Sequence, residues 1–323
     1  MSAKELLEIM SHGQFVSGVK LASQLGVSRT TIWKQFNELK EKGIEFEKVR
    51  GKGYRMLGGG SVLRGEWLKS ALAMSEAGSQ LQFEVVQSID STNSRLVDSS
   101  GSWDENKYYV LAAESQTKGR GRRGKQWFTP YGKNICFSLG FVFTGNIEKL
   151  EGLSVVVGVI LADVLCEYGV NDVSLKWPND VYVAGKKLGG ILIELTGEFN
   201  SRCAVVIGVG LNVDVDGREG FTIDQLWTSL RLEGYAIDRT DLLLSFIQRL
   251  VDGVGKFLNS GSATYFNQWE SYDYLRGKLV EVHGRNVIGV ASGLKENGCL
   301  ILKVNGCDYV LNSGEVSVRL SDG

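Results

Sequence analysis

Histidine is nearly absent from this chain of 323 residues: only His12 and His283 occur. Catalytic triads built on imidazole and histidine-rich metal centres are therefore poor hypotheses. Proline is equally scarce, with Pro130 and Pro178 set against 41 glycines, so loop shape is delegated mainly to glycine. The five cysteines, Cys136, Cys166, Cys203, Cys299 and Cys307, are odd in number, widely spaced and without a C-x-x-C pair. That pattern argues against zinc or redox chemistry and fits a reducing cytoplasm. Long apolar runs are also missing: the most apolar stretch is interrupted by Asp163, and Met1 to Met10 carry Lys4, Glu5 and Glu8 where a signal peptide would be apolar. No membrane span is expected.

The length allows two or three folded units, and the net charge of -1 hides a local asymmetry. Residues 1–60 carry ten Lys and Arg against six Glu, so the remainder is net negative. In this basic segment Leu7, Met10, Val19, Leu21, Leu25, Val27, Ile32, Phe36 and Leu39 recur at helical spacing, with breaks at Gly13 and Gly26. Leu21 to Leu25, a turn at Gly26 and Val27, and a second helix capped by Ser28 form a predicted helix-turn-helix. Ser28, Arg29, Thr30, Thr31 and Lys34 at the start of that second helix are the residue types that reach phosphates and base edges. Glu45 to Met56 alternates around Arg50, Gly51, Lys52 and Gly53 and predicts a β-hairpin wing with a basic tip. The pattern fits DNA binding through Ser28, Arg29, Thr30, Thr31, Lys34, Arg50 and Lys52; a winged helix that only docks other domains is the bland alternative.

Gly58, Gly59, Gly60 and Ser61 mark a boundary, after which Val62 to Met74 resumes a helical pattern. Strand-like runs follow at Gln82 to Val86, Tyr108 to Ala113, Ile135 to Phe143, Val173 to Trp177, Val181 to Val183, Leu188 to Leu195 and Ala204 to Val213, predicting an α/β or α+β sheet domain. Leu153 to Cys166 is rich in β-branched residues, yet its apolar positions follow i, i+3, i+4, i+7 spacing and predict a buried helix. Thr240 to Leu258 predicts an amphipathic helix. From about Gly277 the runs Lys278 to His283, Asn286 to Gly293, Cys299 to Val304 and Tyr309 to Leu311 predict a small β domain.

Four segments carry chemistry. In Gly119-Arg120-Gly121-Arg122-Arg123-Gly124 the glycines remove bulk so that backbone N–H groups can approach an anion, while the arginines supply planar charged donors; the expected ligand is a phosphate. Without a ligand the repelling charges are expected to leave the loop mobile. Alone, the loop reads equally as an exposed basic patch or an RNA-binding arginine-glycine segment. Lys176-Trp177-Pro178-Asn179-Asp180 sits at a junction of two strands, either delivering Lys176, Asn179 and Asp180 together or acting as a plain structural turn. Lys187 opens an apolar strand, where it wants an anionic partner or snorkels, and Gly189, Gly190, Gly208 and Gly210 leave gaps that a flat ligand could face. Asp90-Ser91-Thr92-Asn93 reads as a helix cap whose hydroxyls and amide also suit an uncharged polar group such as a cyclic urea.

Taken in order, D-S-T-N, G-R-G-R-R-G-x-x-W, K-W-P-N-D, K-L-G-G-I-L and G-V-G-L-N-V resemble the biotin protein ligase family, and the N-terminal winged helix and C-terminal Gly314-Glu315-Val316-Ser317-Val318-Arg319 extend the resemblance to its bacterial bifunctional ligase and biotin operon repressor form. The resemblance implies an α+β multidomain fold: a winged helix-turn-helix over residues 1–60, a class II synthetase-like mixed α/β catalytic domain over 61–275 and an SH3-like β-barrel over 276–323. It implies ATP, biotin and Mg²⁺, formation of biotinyl-5'-AMP, and transfer of biotin to a lysine of a biotin carboxyl carrier protein. It also implies operator DNA as a partner and a homodimer when the adenylate is bound as corepressor. By residue, it implies that Ser91, Thr92, Asn93, Gln116 and Gly190 hold biotin, and that Gly119, Arg120, Gly121 and Arg122 close over the carboxylate and α-phosphate. Lys187 would hold the reacting anion, Asn179, Asn212, Trp227 and Arg319 would meet the nucleotide with Arg122 and Lys187, and Asp180 would position the acceptor amine or Mg²⁺. No metal-ligand set is identified. Lys125 and Gln126 depart from the arginine and lysine often found there, and 213–223, before Trp227, also differs. A lipoate or octanoate ligase and a biotin sensor without ligase activity are the rival readings.

Overall fold

The computed structural model describes residues 3–10, 14–41, 44, 46–56, 62–198, 201–217, 226–312 and 318–320. The predicted linker 58–61, His12, Gly314 to Ser317 and the segment 218–225, with Asp224 and Gln225, lie outside them. The N-terminal unit begins with α1 (Ala3–Met10), α2 (Gly18–Gln24) and α3 (Arg29–Glu41), followed by a hairpin of β1 (Phe46–Val49) and β2 (Gly53–Met56). Ser17 and Ser28 cap the second and third helices, accepting from Lys20 N and Thr31 N at 3.1 Å each. Leu6, Leu7, Met10, Leu21, Ile32, Phe36 and Leu39 bury one face of each helix into a common core, against which Tyr54 of the wing stacks on Phe36. Gly53 has φ +104°, and a Cβ there would lie 2.3 Å from Val16 O, so only glycine lets the wing close on the segment before α2.

The central unit contains α4 (Gly65–Ala73), β3 (Leu81–Val86), α5 (Thr92–Ser99), β4 (Tyr108–Ala113), β5 (Asn134–Thr144), α6 (Leu153–Glu167), β6 (Val173–Lys176), β7 (Asp180–Val183), β8 (Lys186–Gly197), β9 (Arg202–Asn212), α7 (Arg239–Ser260) and α8 (Ala263–Tyr272). Its seven-stranded sheet has the order β3-β4-β5-β9-β8-β7-β6, with β3 and β4 parallel and every other pair antiparallel. Helix α6 is apolar on nearly all sides and buried beside α7 and α8, which is why its β-branched residues still form a helix: helical period and burial outweigh local strand propensity. Helix α5 packs against β4, β5 and β9, and its start opens onto the site.

A five-stranded antiparallel sheet ends the chain, in the order β13-β12-β11-β10-β14, formed by β10 (Leu279–Val282), β11 (Ile288–Leu294), β12 (Leu300–Val304), β13 (Cys307–Leu311) and β14 (Val318–Leu320). Its inward residues Val280, Val282, Leu300, Leu302 and Val318 belong to the same apolar cluster as the central core. Trp177, 1 % exposed, donates from Nε1 to Gly298 O at 3.0 Å and fastens this sheet beside the site. At the other junction, Leu63 N donates to Glu114 Oε1, and the Glu114 carboxylate accepts from Arg239 at 2.9 Å with both side chains fully buried. Tyr131 of the central unit packs into the N-terminal core. Among the described residues no helix is long and apolar enough to cross a membrane.

Candidate active site

One cavity of about 400 Å³ lies where the central sheet meets the C-terminal sheet. Ser91, Thr92, Asn93, Gln116 and Gly208 close one end. Residues 120–123 and 125–127 form a lid side, Lys176 to Asp180 with Lys187, Gly190, Ile191 and Leu192 form the floor, and His283, Val318 and Arg319 reach in from the C-terminal sheet. Arg120, Arg122, Arg123, Lys125, Lys176, Lys187 and Arg319 make seven cationic lining residues against one lining carboxylate, Asp180. Such a field selects an anion with several charges.

The closed end is built from polar groups that fix one another. Ser91 caps α5, and Thr92 donates from N and Oγ1 to Gln116 Oε1 at 2.8 and 3.1 Å. Ser138 of β5, fully buried, donates to Thr92 Oγ1 or Asn93 Oδ1, which lie at 2.8 and 2.5 Å from its hydroxyl. Asn93 Nδ2 in turn donates to Leu192 O at 3.2 Å and Glu194 Oε2 at 2.8 Å. Gly208 makes this possible: a Cβ there would lie 2.2 Å from Asn93 Oδ1. Gly210 has the same role for Trp127, whose Nε1 would lie 2.5 Å from an added Cβ. The space left by Gly208 and Gly210 is thus taken up in part by Asn93 and Trp127, which line the cavity together with these glycines and Gly190.

The glycine-arginine loop is a tight hairpin. Trp127 N donates to Gly119 O at 2.9 Å and Gly121 N to Lys125 O at 2.7 Å, with Arg123 left-handed at φ +57° and Gly124 at φ +71°. A side chain at Gly119 would meet Trp127 O at 2.3 Å, so this glycine serves the hairpin's own closure and does not line the cavity. The charges expected to leave the loop mobile find partners: Arg120 pairs with Glu194 at 2.7 Å and Arg122 donates to Asn179 Oδ1 at 3.2 Å. Asn179 Nδ2 is itself fixed on Ile191 O at 2.9 Å.

Lys187, whose anionic partner was expected from a ligand, has one in the protein: its Nζ lies 2.8 Å from Asp180 Oδ1 and 5.9 Å from the centre of the Trp127 ring. Burial, with Lys187, Arg319 and Lys125 nearby, lowers the pKa of the Lys176 ammonium, an effect opposed by Asp180. Burial and the neighbouring Arg123 likewise lower that of Arg122. Both shifts come first from burial of the cation, with the neighbouring positive charges adding to it.

Two residues expected at the nucleotide stand off the cavity lining. Asn212 is buried, accepting from the Asn134 side chain through Oδ1 and donating from Nδ2 to Thr228 O, both at 3.0 Å, so its amide ties the start of β5 to the backbone at residue 228. Trp227 belongs to the strand segment beside Lys187, where Lys187 N donates to Leu226 O and Thr228 N to Lys187 O. Ser138, Glu194 and His283 were missed. Ser138 and Glu194 are polar residues inside apolar strands, a signal that alternation could have raised; nothing in the sequence pointed to His283. Ser28, which caps α3, and Arg29, Thr30 and Lys34 on it are exposed, as are Arg50 and Lys52 on the wing, while Thr31 is half-buried.

Known proteins match this chain over nearly its whole length. Residues 85–212 match the biotin/lipoate A/B protein ligase family, and residues 3–55 match a helix-turn-helix domain. The bifunctional ligase/repressor BirA of Escherichia coli is 33 % identical over 98 % of this chain and 97 % of its own length. The chain belongs to the bifunctional biotin ligase/repressor family. The Bacillus subtilis member is 30 % identical, covering 94 % of each chain. A solved biotin protein ligase from Aquifex aeolicus, in complex with biotin and ATP, aligns with 74 % of this chain and 99 % of that one at TM-score 0.62 and 29 % identity. Family membership accounts for the pairing of a ligase fold with a helix-turn-helix in one chain.

Proposed function

We propose that this chain is an ATP-dependent biotin protein ligase that also represses transcription, with biotinyl-5'-AMP as product of the first activity and corepressor for the second. The observation that carries the reading is the cavity of about 400 Å³ whose polar closed end, at Ser91, Thr92, Asn93 and Gln116, leads directly into seven cations. A neutral urea-like head fits the first region, and a carboxylate meeting a triphosphate fits the second.

In the first step a carboxylate oxygen of biotin attacks the α-phosphorus of ATP, the bond to the bridging oxygen breaks and pyrophosphate leaves. The carboxylate is already ionised at neutral pH, so alignment and neutralisation suffice and no histidine base is required. Arg120 and Arg122 cover the carboxylate and α-phosphate, Lys187 faces the reacting anion, and Asn179 and Arg319 hold the nucleotide, with Trp227 on its adenine side. Gly121 and Gly190 leave room on the lid and floor; Gly119 and Asn212 act by holding the hairpin and the segment around Thr228. Mg²⁺ would be held by the nucleotide phosphates and would neutralise charge there, with Asp180 as the carboxylate that lines the cavity. In the second step the lysine amine of a biotin carboxyl carrier protein attacks the acyl carbon, the bond to AMP breaks and the amine loses a proton, with Asp180 positioning that amine.

The domain limits are 1–60, 61–275 and 276–323, the last a small SH3-like barrel and the second class II synthetase-like, in a cytoplasmic protein. Ser28, Arg29, Thr30, Thr31, Lys34, Arg50 and Lys52 contact operator DNA, and the adenylate drives formation of the homodimer that binds it. The test is direct: the chain is incubated with biotin and ATP labelled at the α-phosphate. Labelled biotinyl-5'-AMP with release of pyrophosphate is expected, and biotin binding without either product would leave only a biotin sensor.

A further inference from the structure

Helix α3 buries Ile32, Phe36 and Leu39 in the N-terminal core and turns Arg29, Thr30, Trp33, Lys34 and Asn37 outward. Trp33 is 55 % exposed and belongs to none of the apolar clusters among the described residues. Folding does not account for it, because burying a large apolar side chain is worth about 1.5–3 kcal/mol that this position forgoes. Trp33 follows Arg29 by four residues and Thr30 by three and precedes Asn37 by four, so the indole shares a strip with an exposed guanidinium, a hydroxyl and an amide. Lys34 on the helix and Arg50 and Lys52 on the wing are exposed as well, while Glu38 is the one exposed carboxylate among the described side chains of α3. That balance suits a polyanion better than an apolar protein surface.

Trp33 is the fifth residue of α3, in the half of a recognition helix that meets base edges when its N-terminus enters the major groove. The apolar group presented by base edges there is the C5-methyl of thymine. We propose that Trp33 is a specificity-determining residue that reads a thymine methyl in each operator half-site, while Arg29, Lys34, Arg50 and Lys52 supply the charge that any sequence would satisfy. The inference rests on the repressor reading above and adds to it a residue and a chemical group.

The experiment selects duplexes from a random library with the full-length chain in the presence of biotin and ATP, using wild type, Trp33→Ala and Trp33→Phe. Wild type is expected to enrich a two-fold symmetric site with a fixed thymine in each half. Trp33→Ala should lose that preference and bind the wild-type site about tenfold more weakly, the loss typical of one mismatched position. Trp33→Phe should fall between them. Replacing the fixed thymines by uracil should weaken wild type by a similar factor and leave Trp33→Ala unaffected, while the salt dependence of binding stays the same because no charge is removed. Unchanged unfolding temperature establishes that the variants are folded. Enrichment of the same site by Trp33→Ala at the same affinity, or equal uracil effects on both proteins, overturns the inference alone. So does a site unchanged while the monomer–dimer equilibrium shifts, which makes the indole a protein contact. Failure of wild type to enrich any site overturns the repressor reading and this inference with it.

Discussion

Gly208→Ala should damage biotin binding through a single methyl group. Gly208 is an interior strand residue paired with Ser138 on one side and Leu192 on the other, so alanine is compatible with its backbone. The added Cβ would lie 2.2, 2.8 and 3.0 Å from Oδ1, Cγ and Nδ2 of Asn93. Asn93 cannot yield without breaking its contacts to Ser138, Leu192 and Glu194, each worth about 0.5–1.5 kcal/mol net. If the strand yields instead, the overpacking costs about 1–3 kcal/mol. Both routes predict a stability loss of about 1–3 kcal/mol in urea unfolding and, by isothermal calorimetry, biotin binding weaker by about tenfold or more. Asn93→Ala removes all three of the crowded atoms, so the double variant should be no less stable than Asn93→Ala alone. Additive losses in the double variant, or a Gly208→Ala protein with wild-type stability and biotin affinity, would show that Asn93 is not wedged against this strand.

Glu114→Ala takes the counter-charge from the fully buried Arg239, which keeps its bonds to Asn134 O, and should lower stability by about 3–5 kcal/mol, read from the denaturant midpoint, whereas Glu114→Gln should lose less. Lys187→Met should slow adenylate formation by about a hundredfold or more, measured as pyrophosphate release, with a change of less than about threefold counting against its role. Lys176 has a lowered pKa, so its charge is lost earlier than usual as pH rises; an anionic triphosphate favours the charged form. ATP affinity should therefore be full below the depressed pKa of Lys176 and fall as pH rises through it. Lys176→Met should bind ATP more weakly at neutral pH and flatten that alkaline decline in calorimetric titrations. Trp177→Phe should cost about 1 kcal/mol through loss of the bond to Gly298 O, seen as earlier thermal unfolding.

Much of this fold was legible because its periods are strong. The core spacing of α3, the alternation of the wing and the helical repeat hidden in the valine-rich α6 each specified an element that tertiary packing then reinforced. Helix α8 has no such clear signal: its apolar residues are mostly half-buried aromatics, and only Trp269 is fully buried in the core. The site was legible as a set of segments and less so as a geometry. Gly208 and Gly210 announced close approach, but what approaches is Asn93 and Trp127, each more than 80 residues away in the chain. Lys187 announced a missing anion, but Asp180 supplies it across one hairpin. His283 carries no local signal, because only the docking of the C-terminal sheet, through Trp177 and the shared core, brings it to the cavity.

Activation of biotin with ATP and its transfer are read together in the mass of a biotin carboxyl carrier fragment after incubation with the chain, biotin and MgATP. Addition of one biotinyl group at a single lysine is expected, dependent on ATP and nearly abolished by Lys187→Met. An unmodified carrier in the complete mixture, or modification that continues without ATP, would contradict the ligase reading.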